Sequence, residues 1–187
     1  MKLFSVKLLV FITLITSCDG KDRARYTPEE KLEQSNLPKS YFLKEKYQPE
    51  EYSEVVTDTI INNNINISIK TYTDMSHNIL NEFKIDTIHY KHFYREIISN
   101  LIITIDGKTI FNDTIDKSNF INNENNLFWK DALMLGLYLN DTQTTKESLY
   151  FNVSFCMIES EICQDYGLII DNNGKLIIEE LITEEIH

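Results

Sequence analysis

The side chains with the clearest potential for chemistry lie in the run HYKHFYRE, which contains His89, His92 and Glu96. Imidazole and carboxylate groups are usual ligands of zinc, which takes three or four of them. On a strand, residues 89 and 92 point to opposite faces, whereas on a helix only His92 and Glu96 share a face. Neither geometry gathers enough ligands, so the run indicates an exposed polar strand and no metal site.

Motifs for nucleophilic catalysis and phosphate binding are missing from the sequence. There is no G-x-S-x-G turn to present a serine, and no Gly-rich loop in a chain with five glycines. Carboxylates are abundant, as in IESEICQD, and a glycosidase needs two of them, but no pair stands out. The sequence therefore predicts no catalytic residue and no cofactor, and it favours a protein that is not an enzyme.

Residues 1–17 have the features of a secretory signal, and Cys18 follows them directly. Lys2 and Lys7 supply the positive end, and the apolar run LLVFITLIT has nine residues, fewer than the roughly 20 that cross a bilayer. The sequence ITSC that ends at Cys18 resembles the lipobox of bacterial lipoproteins, whose signal is cleaved before a lipidated cysteine. The resemblance implies that Cys18 carries a lipid; the alternative is a buried N-terminal strand ending in an ordinary cysteine.

Lipidation of Cys18 would leave Cys156 and Cys163 as the two other cysteines. An exported domain meets an oxidising compartment, in which such thiols form disulfides. The six residues between them allow a strand to turn back and bring the two Cα atoms to about 5.5 Å, the usual disulfide separation. We expect a disulfide worth about 2–3 kcal/mol, with two buried free thiols as the alternative.

The triplet Asp-Thr-Ile occurs three times, with its threonine at Thr59, Thr87 and Thr114. It resembles the motif at which Bacteroidetes O-glycosylate exported proteins, a modification that follows export. The resemblance makes these threonines candidate glycosylation sites. Chance is the alternative explanation, because Thr and Ile favour strands and Asp occurs at strand ends.

Alternating apolar and polar residues predict the strands that position these groups. In NINISIKTY, Ile65, Ile67 and Ile69 alternate with polar residues, and EVVTDTII before them is expected to pair with it through the NNN turn. Asp-Gly in LIITIDGKTIFNDTI and Asn-Gly in YGLIIDNNGKLIIEEL predict two further hairpins. SLYFNVSFCMI alternates in the same way, with its apolar residues from Leu149 to Met157 on one face.

The secondary structure of the other segments is less clear from the sequence pattern. FWKDALMLGLYL is interpreted as a turn of helix leading into a strand, because Gly136 weakens a longer helix. MSHNILNEF is expected to be a brief helix or a loop, and YFLKEKY to add an edge contact. In TPEEKLEQ, Thr27 is the predicted N-cap of a short helix and Glu30 completes its capping box. Trp129, the single tryptophan, is expected in the core rather than on a sugar-binding surface.

The predicted fold class is mainly β: a single, antiparallel β-sandwich-like domain with a short N-terminal helix and tether. The predicted boundaries are a signal peptide at 1–17, the lipidated cysteine and tether at 18–50, and the β-rich domain at 51–187. The tether is rich in charge and contains all three prolines of the chain.

The chain is acidic, with 29 Asp and Glu against 18 Lys and Arg and a net charge of −11. Loss of Lys2 and Lys7 with the signal would leave 16 basic residues and a net charge of −13. Such a surface repels nucleic acid and anionic lipid headgroups and favours a basic partner. Simple solvation of a soluble domain is the alternative.

The lipobox, the polar tether, FWKDALMLGLYLND and LIIDNNGKLIIEEL together resemble the small lipoproteins of unknown function found in Bacteroidetes. The resemblance implies a bacterial envelope lipoprotein, held at the outer membrane, and brings no catalytic residues with it. In these bacteria, acidic residues just after the lipidated cysteine mark surface export. DGKD after Cys18 matches in part, so the periplasmic and the surface-exposed side both stay open.

We therefore expect a non-catalytic binding or interaction module, attached to the membrane through Cys18, that takes a protein or glycan ligand. One alternative is an inhibitor or immunity-like lipoprotein that masks a basic envelope enzyme, which the acidic charge favours. Another is a glycan hydrolase, which would need a cleft lined by two carboxylates.

Overall fold

The computed structural model describes residues 26–27, 30–31, 43–121 and 126–181. The predicted signal peptide at 1–17, the predicted lipidation site Cys18 and most of the predicted tether lie outside these residues.

Glu30 and Lys31 are helical, and Thr27, the N-cap predicted from the sequence, precedes them. The main-chain N–H of Thr27 donates to Glu30 Oε2 at 2.8 Å, and the N–H of Glu30 donates to Thr27 Oγ1 at 3.3 Å. This reciprocal pair is a capping box, which satisfies two main-chain donors that a helix start leaves unpaired.

From residue 43 onward, the described residues form nine strands, one short α-helix and one turn of 3-10 helix at Lys117–Asn119. The strands are β1 (Leu43–Gln48), β2 (Glu54–Ile61), β3 (Ile65–Ile85), β4 (Ile88–Ile105), β5 (Lys108–Ile115), β6 (Ala132–Leu139), β7 (Ser148–Met157), β8 (Cys163–Asp171) and β9 (Leu176–Leu181). The helix α1 (Asn126–Asp131) leads directly into β6, which confirms the interpretation of FWKDALMLGLYL. No helix among these residues is long and apolar enough to span a membrane.

The strands form two sheets. In the first, the order is β1–β4–β3–β2, and β5 also pairs with β4; in the second, it is β6–β7–β8–β9. The sequential pairs β2–β3, β4–β5, β6–β7, β7–β8 and β8–β9 are antiparallel. The fold is thus mainly β, antiparallel and sandwich-like, as the alternation of apolar and polar residues predicts.

The predicted turns join these strands. Asn62 and Asn63, between β2 and β3, have φ of 51° and 62°, and Asp106 and Gly107, between β4 and β5, have φ of 50° and 79°. Two successive positive φ angles are typical of tight hairpins, and Asn, Asp and Gly adopt them at the lowest cost. The Asn-Gly turn between β8 and β9 also forms, with a φ of 80° at Gly174.

The chain divides into two compact units. They comprise Met1–Glu45 with Glu82–Lys91, and Lys46–Asn81 with His92–His187. In the first unit, the rings of Phe83 and Tyr90 stack with centroids 5.1 Å apart, and Lys91 forms an ion pair with Glu82 at 3.0 Å. The second unit contains the hydrophobic core.

The core lies between the inner faces of the two sheets. Strands β3 to β8 all contribute to its most deeply buried side chains, which include Ile67, Leu101, Ile103, Ile115, Met134, Phe151, Val153, Phe155 and Leu168. Trp129 is 4% exposed and packs edge-on against Phe155, with ring centroids 5.0 Å apart. The expectation of a core tryptophan is confirmed.

The expectation for MSHNILNEF is wrong, because this segment lies within β3. Ile79 is buried and Phe83 is half-buried. Their spacing of four residues suits one face of a helix and one face of a strand equally well. The segment is a strand because β3 pairs with β4 in the first sheet. Such sheet context outweighs the weak intrinsic preference of these residues.

Strand β1 lies inside the stretch predicted as tether. It forms an edge of the first sheet beside β4, where YFLKEKY is expected to add an edge contact. The sheet therefore starts upstream of residue 51. LKEKYQ is mostly exposed, and its charged sequence lacks the apolar alternation that indicates a strand.

Candidate functional site

An open cleft of about 500 Å³ lies at one edge of the sandwich, where β2 and β6 are each the last strand of their sheet. One wall consists of β2 and the inner face of β3, with Ile97 of β4. The other consists of residues 135–139 of β6 and the nearby Asp141. All of these residues belong to the second unit. Concave surfaces with mixed apolar and polar linings are where proteins bind ligands.

The β2 wall exists because the second sheet stops short of it. Thr57 pairs with Ile69, and Thr59 pairs with Ile67. Residues directly opposite each other in an antiparallel pair share a face, so both threonines point the same way as the two core isoleucines. Thr57 is nevertheless exposed and Thr59 half-buried, because β6 ends the second sheet before it covers them.

Hydroxyl groups continue along the β3 side of the cleft. Thr71 Oγ1 lies 2.7 Å from Ser99 Oγ, and Thr73 Oγ1 lies 2.9 Å from Ser53 Oγ. Thr73 and Ser99 are buried, and a buried hydroxyl without a partner would cost about 1–3 kcal/mol. The hydrogen bonds therefore fix these side chains in position, and the residue-by-residue reading of the sequence missed them.

A β-bulge shapes the opposite wall. The β6–β7 register shifts between Met134 and Gly136, which leaves Leu135 as the extra residue. Gly136 has a φ of 157°, and a Cβ atom there would lie 2.6 Å from the Tyr138 hydroxyl oxygen. Bulges bend an edge strand and change the direction of its side chains. Here Leu135 is 53% and Tyr138 62% exposed, so the edge presents apolar surface to the cleft.

The two charged residues of the cleft lining, Glu54 and Asp141, are acidic, and the Glu54 side chain lies on the outer face of β2. Glu54 Oε2 accepts from Lys70 Nζ at 2.6 Å, and the Tyr52 hydroxyl donates to the same carboxylate. The hydrogen bond from Lys70, followed by that from Tyr52, lowers the pKa of Glu54, and the bond to Glu54 raises the pKa of Lys70. Asp141 lines the cleft without a side-chain partner among the described residues, and no Lys or Arg lines it there.

The outer edge of β2 offers free main-chain groups. The Thr73 N–H donates to the Ser53 carbonyl at 3.0 Å, and these two residues lie directly opposite each other in the β2–β3 register. Main-chain N–H and C=O groups point to alternate sides along a strand. Those of residues 55, 57 and 59 therefore point towards β3. Residues 54, 56, 58 and 60 turn their N–H and C=O groups away from it, and no described strand pairs with them.

The structure pairs Cys156 with Cys163 as a disulfide. The two residues are directly opposite each other on β7 and β8, with Cα atoms 4.1 Å apart. The bond closes the loop in which Glu159 has a φ of 51°. The cysteines lie outside the lining of the cleft.

The three candidate glycosylation sites lie on different elements. Thr59 is half-buried and lines the cleft. Thr87 is half-buried in the turn between β3 and β4. Thr114 is exposed on β5, where its Oγ1 donates to Asn100 Oδ1 at 2.9 Å. Accessibility therefore favours Thr114.

Strand β4 carries His89, His92 and Glu96. Glu96 forms an ion pair with Lys117 at 2.8 Å, and His92 Nδ1 lies 3.9 Å from Glu159. Within the part of the chain that the structure describes, no three His, Cys, Asp or Glu side chains come together as a metal ion requires.

A polar cluster on β3 contains the three residue types of a catalytic triad, and the sequence reading missed it. Asp74 Oδ2 contacts His77 Nδ1 at 2.5 Å, while Ser76 Oγ donates to Asp74 Oδ1 at 2.6 Å and lies 3.1 Å from the same His77 nitrogen. A catalytic relay needs Ser and Asp on different ring nitrogens, so this arrangement cannot activate Ser76. The hydrogen bond to Asp74 raises the pKa of His77.

Comparison with known proteins places the chain in a family. A family model described as a domain of unknown function (DUF4738) matches residues 42–178, and the chain belongs to this family. The match includes β1 to β8 and both walls of the cleft. A comparison with curated proteins finds no match to this chain.

Proposed function

We propose that this member of the DUF4738 family is a lipid-anchored lipoprotein of the bacterial envelope, of the Bacteroidetes type, whose β domain is a non-catalytic binding module. The outer membrane is the proposed location and Cys18 the proposed anchor. The observation that carries the binding role is the cleft between β2 and β6. A protein or glycan ligand would occupy it.

The composition of the cleft supports binding. Its walls combine the accessible hydroxyls of Thr57 and Thr59 with the exposed apolar side chains of Leu135 and Tyr138. Val55, on the β2 wall, is 66% exposed. Exposed apolar groups collected at one place on a soluble surface mark interaction sites, and the hydroxyls can orient a ligand through hydrogen bonds.

The anchor is tested by labelling cells that express the full chain with a radioactive fatty acid. We expect the label in the wild-type protein and none in the Cys18→Ala variant, because a single thiol is the proposed attachment point. An unlabelled wild-type protein, or label that survives Cys18→Ala, contradicts the anchor.

The cleft is tested by placing a photo-crosslinking amino acid at Leu135 in the full chain, in intact cells. Ile177 on β9 is the matched control, because its exposure of 47% is close to the 53% of Leu135 and it lies outside the cleft lining. We expect a discrete adduct from position 135 and none from position 177. Adducts from both positions, or from neither, contradict binding at the cleft.

O-glycosylation is a separate proposal, and it favours Thr114 over the other two threonines. A glycan on Thr114 would extend from an exposed strand, whereas one on Thr59 would fill the cleft. Mass spectrometry of the native protein is expected to find the glycan at Thr114 and an unmodified Thr59. A bare Thr114 peptide ends the proposal.

A further inference from the structure

We propose that the partner enters the cleft as an extended, basic protein segment that adds to the free edge of β2 as an antiparallel strand. This inference rests on the proposed binding function and specifies its ligand class. It follows from three features of β2: its outward main-chain groups, its uncovered inner face and its charge.

The main-chain groups provide the pairing. Residues 54, 56, 58 and 60 direct N–H and C=O groups away from β3. An extended segment alongside β2 would satisfy them with its own main chain, which is how peptides add to exposed sheet edges. Such an edge is otherwise a liability that proteins usually cover or shorten, yet β2 has eight residues.

The inner face selects apolar side chains. Every second residue of the added strand would project beside Val55 and Thr57, into the cleft and towards Leu135 and Tyr138. Val55 on this face is 66% exposed, and Leu135, which lines the opposite wall of the cleft, is 53% exposed. Burial of apolar atoms is favourable. We therefore expect the added strand to prefer apolar side chains at the positions that face the cleft.

The outer face selects basic side chains. The intervening residues of the added strand would lie beside Glu54 and Asp58. Lys70 already neutralises Glu54, but Asp58 has no side-chain partner among the described residues. A second copy of the chain would bring another Asp58 and a net charge of −11 to the same edge. Charge complementarity therefore favours a basic partner over self-association.

The probe is an acetylated, fluorescently labelled peptide with as many residues as β2, which has eight, and with alternating Val and Lys. A peptide of the same composition with all Val residues followed by all Lys residues is the control for charge alone. Fluorescence anisotropy with the full chain measures the affinity of each peptide. We expect the alternating peptide to bind at least about tenfold more tightly, because only it separates the two faces.

Two modifications test main-chain pairing. Val56→Pro removes an outward N–H and keeps a side chain of similar size, whereas Val56→Ala keeps the N–H and shortens the side chain. We expect Val56→Pro to weaken binding by about tenfold, the usual effect of a lost main-chain hydrogen bond in a desolvated edge, and Val56→Ala by less than about threefold. An unfolding curve establishes that each variant is folded.

N-methylated peptides make the same test on the unaltered protein. In antiparallel addition the Lys residues lie opposite residues 54, 56 and 58 and direct their N–H groups to β2, so methylation of the Lys nitrogens abolishes binding. Methylation of the Val nitrogens, the matched control, leaves it intact.

Equal binding of the alternating and block peptides, equal effects of the two Val56 variants, or self-association of the chain through β2 overturns strand addition. An adduct at position 135 alongside any of these results preserves the binding module and rejects only the strand. If the chain gives no adduct at position 135 and binds neither peptide, both the binding module and strand addition are contradicted.

Discussion

Ile65, Ile67 and Ile69 on β3 lie beneath the second sheet and are at most 6% exposed, whereas the residues that pair with two of them on β2 are Thr59 and Thr57. These five side chains share one face of the first sheet and differ in what covers them. The second sheet seals the β3 part and ends at β6 before it reaches β2. The same sandwich thus has a closed core and an open edge.

Coverage by the second sheet goes with an apolar inner face. Where the sheets oppose each other, the inner faces are mainly aliphatic and aromatic, the buried hydroxyls of Thr73 and Ser99 being hydrogen-bonded exceptions, and burial of each large side chain contributes roughly 2–3 kcal/mol. Where one sheet stops, the inner face carries hydroxyls and exposed apolar groups that contribute little to folding. The closed core accounts for most of the stability, and the open edge is where we propose that a partner binds.

The largest effect is expected from Phe155→Ala in the closed core. Phe155 is fully buried and contacts Trp129 and Phe120, so truncation leaves a cavity and lowers the free energy of unfolding by about 3–5 kcal/mol. Guanidinium-induced unfolding measures it. A decrease in the free energy of unfolding of less than about 1 kcal/mol would contradict the assignment of Phe155 to a closed core.

Removal of the disulfide is expected to rank next. Replacing Cys156 and Cys163 by serine frees a loop that joins residues seven positions apart, which lowers the free energy of unfolding by about 2–3 kcal/mol in the chain-entropy model. The same unfolding experiment, with and without reductant for the wild-type protein, measures it. If the free energy of unfolding of the wild-type protein is the same with and without reductant, the disulfide has no stabilising role.

Gly136→Ala is expected to lower the free energy of unfolding by about 1–3 kcal/mol. The new Cβ atom meets the Tyr138 ring, and the φ of 157° is unfavourable for alanine. The double variant with Tyr138→Ala removes the ring contact and recovers part of the loss. Simple additivity of the two substitutions would mean that the ring does not pack on Gly136.

A matched pair of substitutions contrasts a buried position in the closed core with an exposed position at the open edge. Val153→Thr buries a hydroxyl in the closed core, where Val153 is fully buried, and costs about 1–3 kcal/mol. Thr57→Val makes the reverse change on the exposed wall of the cleft and alters stability by less than about 0.5 kcal/mol. Thermal unfolding of both variants measures the contrast, and equal losses contradict it.

The smallest effect is expected at His77. Its hydrogen bond to Asp74 raises its pKa above 6.5, so any stability it adds is present below pH 6.5 and is lost as the pH rises through the higher folded-state pKa. NMR titration should show this elevated pKa, and Asp74→Asn should return it towards 6.5. An unchanged His77 titration in that variant contradicts the assigned cause.

The strands and turns could be predicted because their signals are local. Ile65, Ile67 and Ile69 alternate within one strand, and Asp106-Gly107 specifies its turn by itself. MSHNILNEF was mispredicted because its apolar residues fit two periods, and only pairing with β4 resolves them.

The cleft could not be predicted, because it depends on which strands end the two sheets. Thr57 fits a covered or an uncovered face equally well in EVVTDTII, and sequence does not reveal that β2 and β6 are neighbours at an open edge. One local signal was present: Gly136 interrupts an apolar strand, which is a mark of a β-bulge.

Residue-resolved amide hydrogen exchange of the full chain, with and without the alternating Val–Lys peptide, tests most directly whether partners enter at the β2–β6 edge. We expect the peptide to slow exchange at the outward amides of Val56 and Asp58 and to leave exchange at Ile177, on the opposite edge, unchanged. Slowed exchange at Ile177, or no change at Val56 and Asp58, would contradict it.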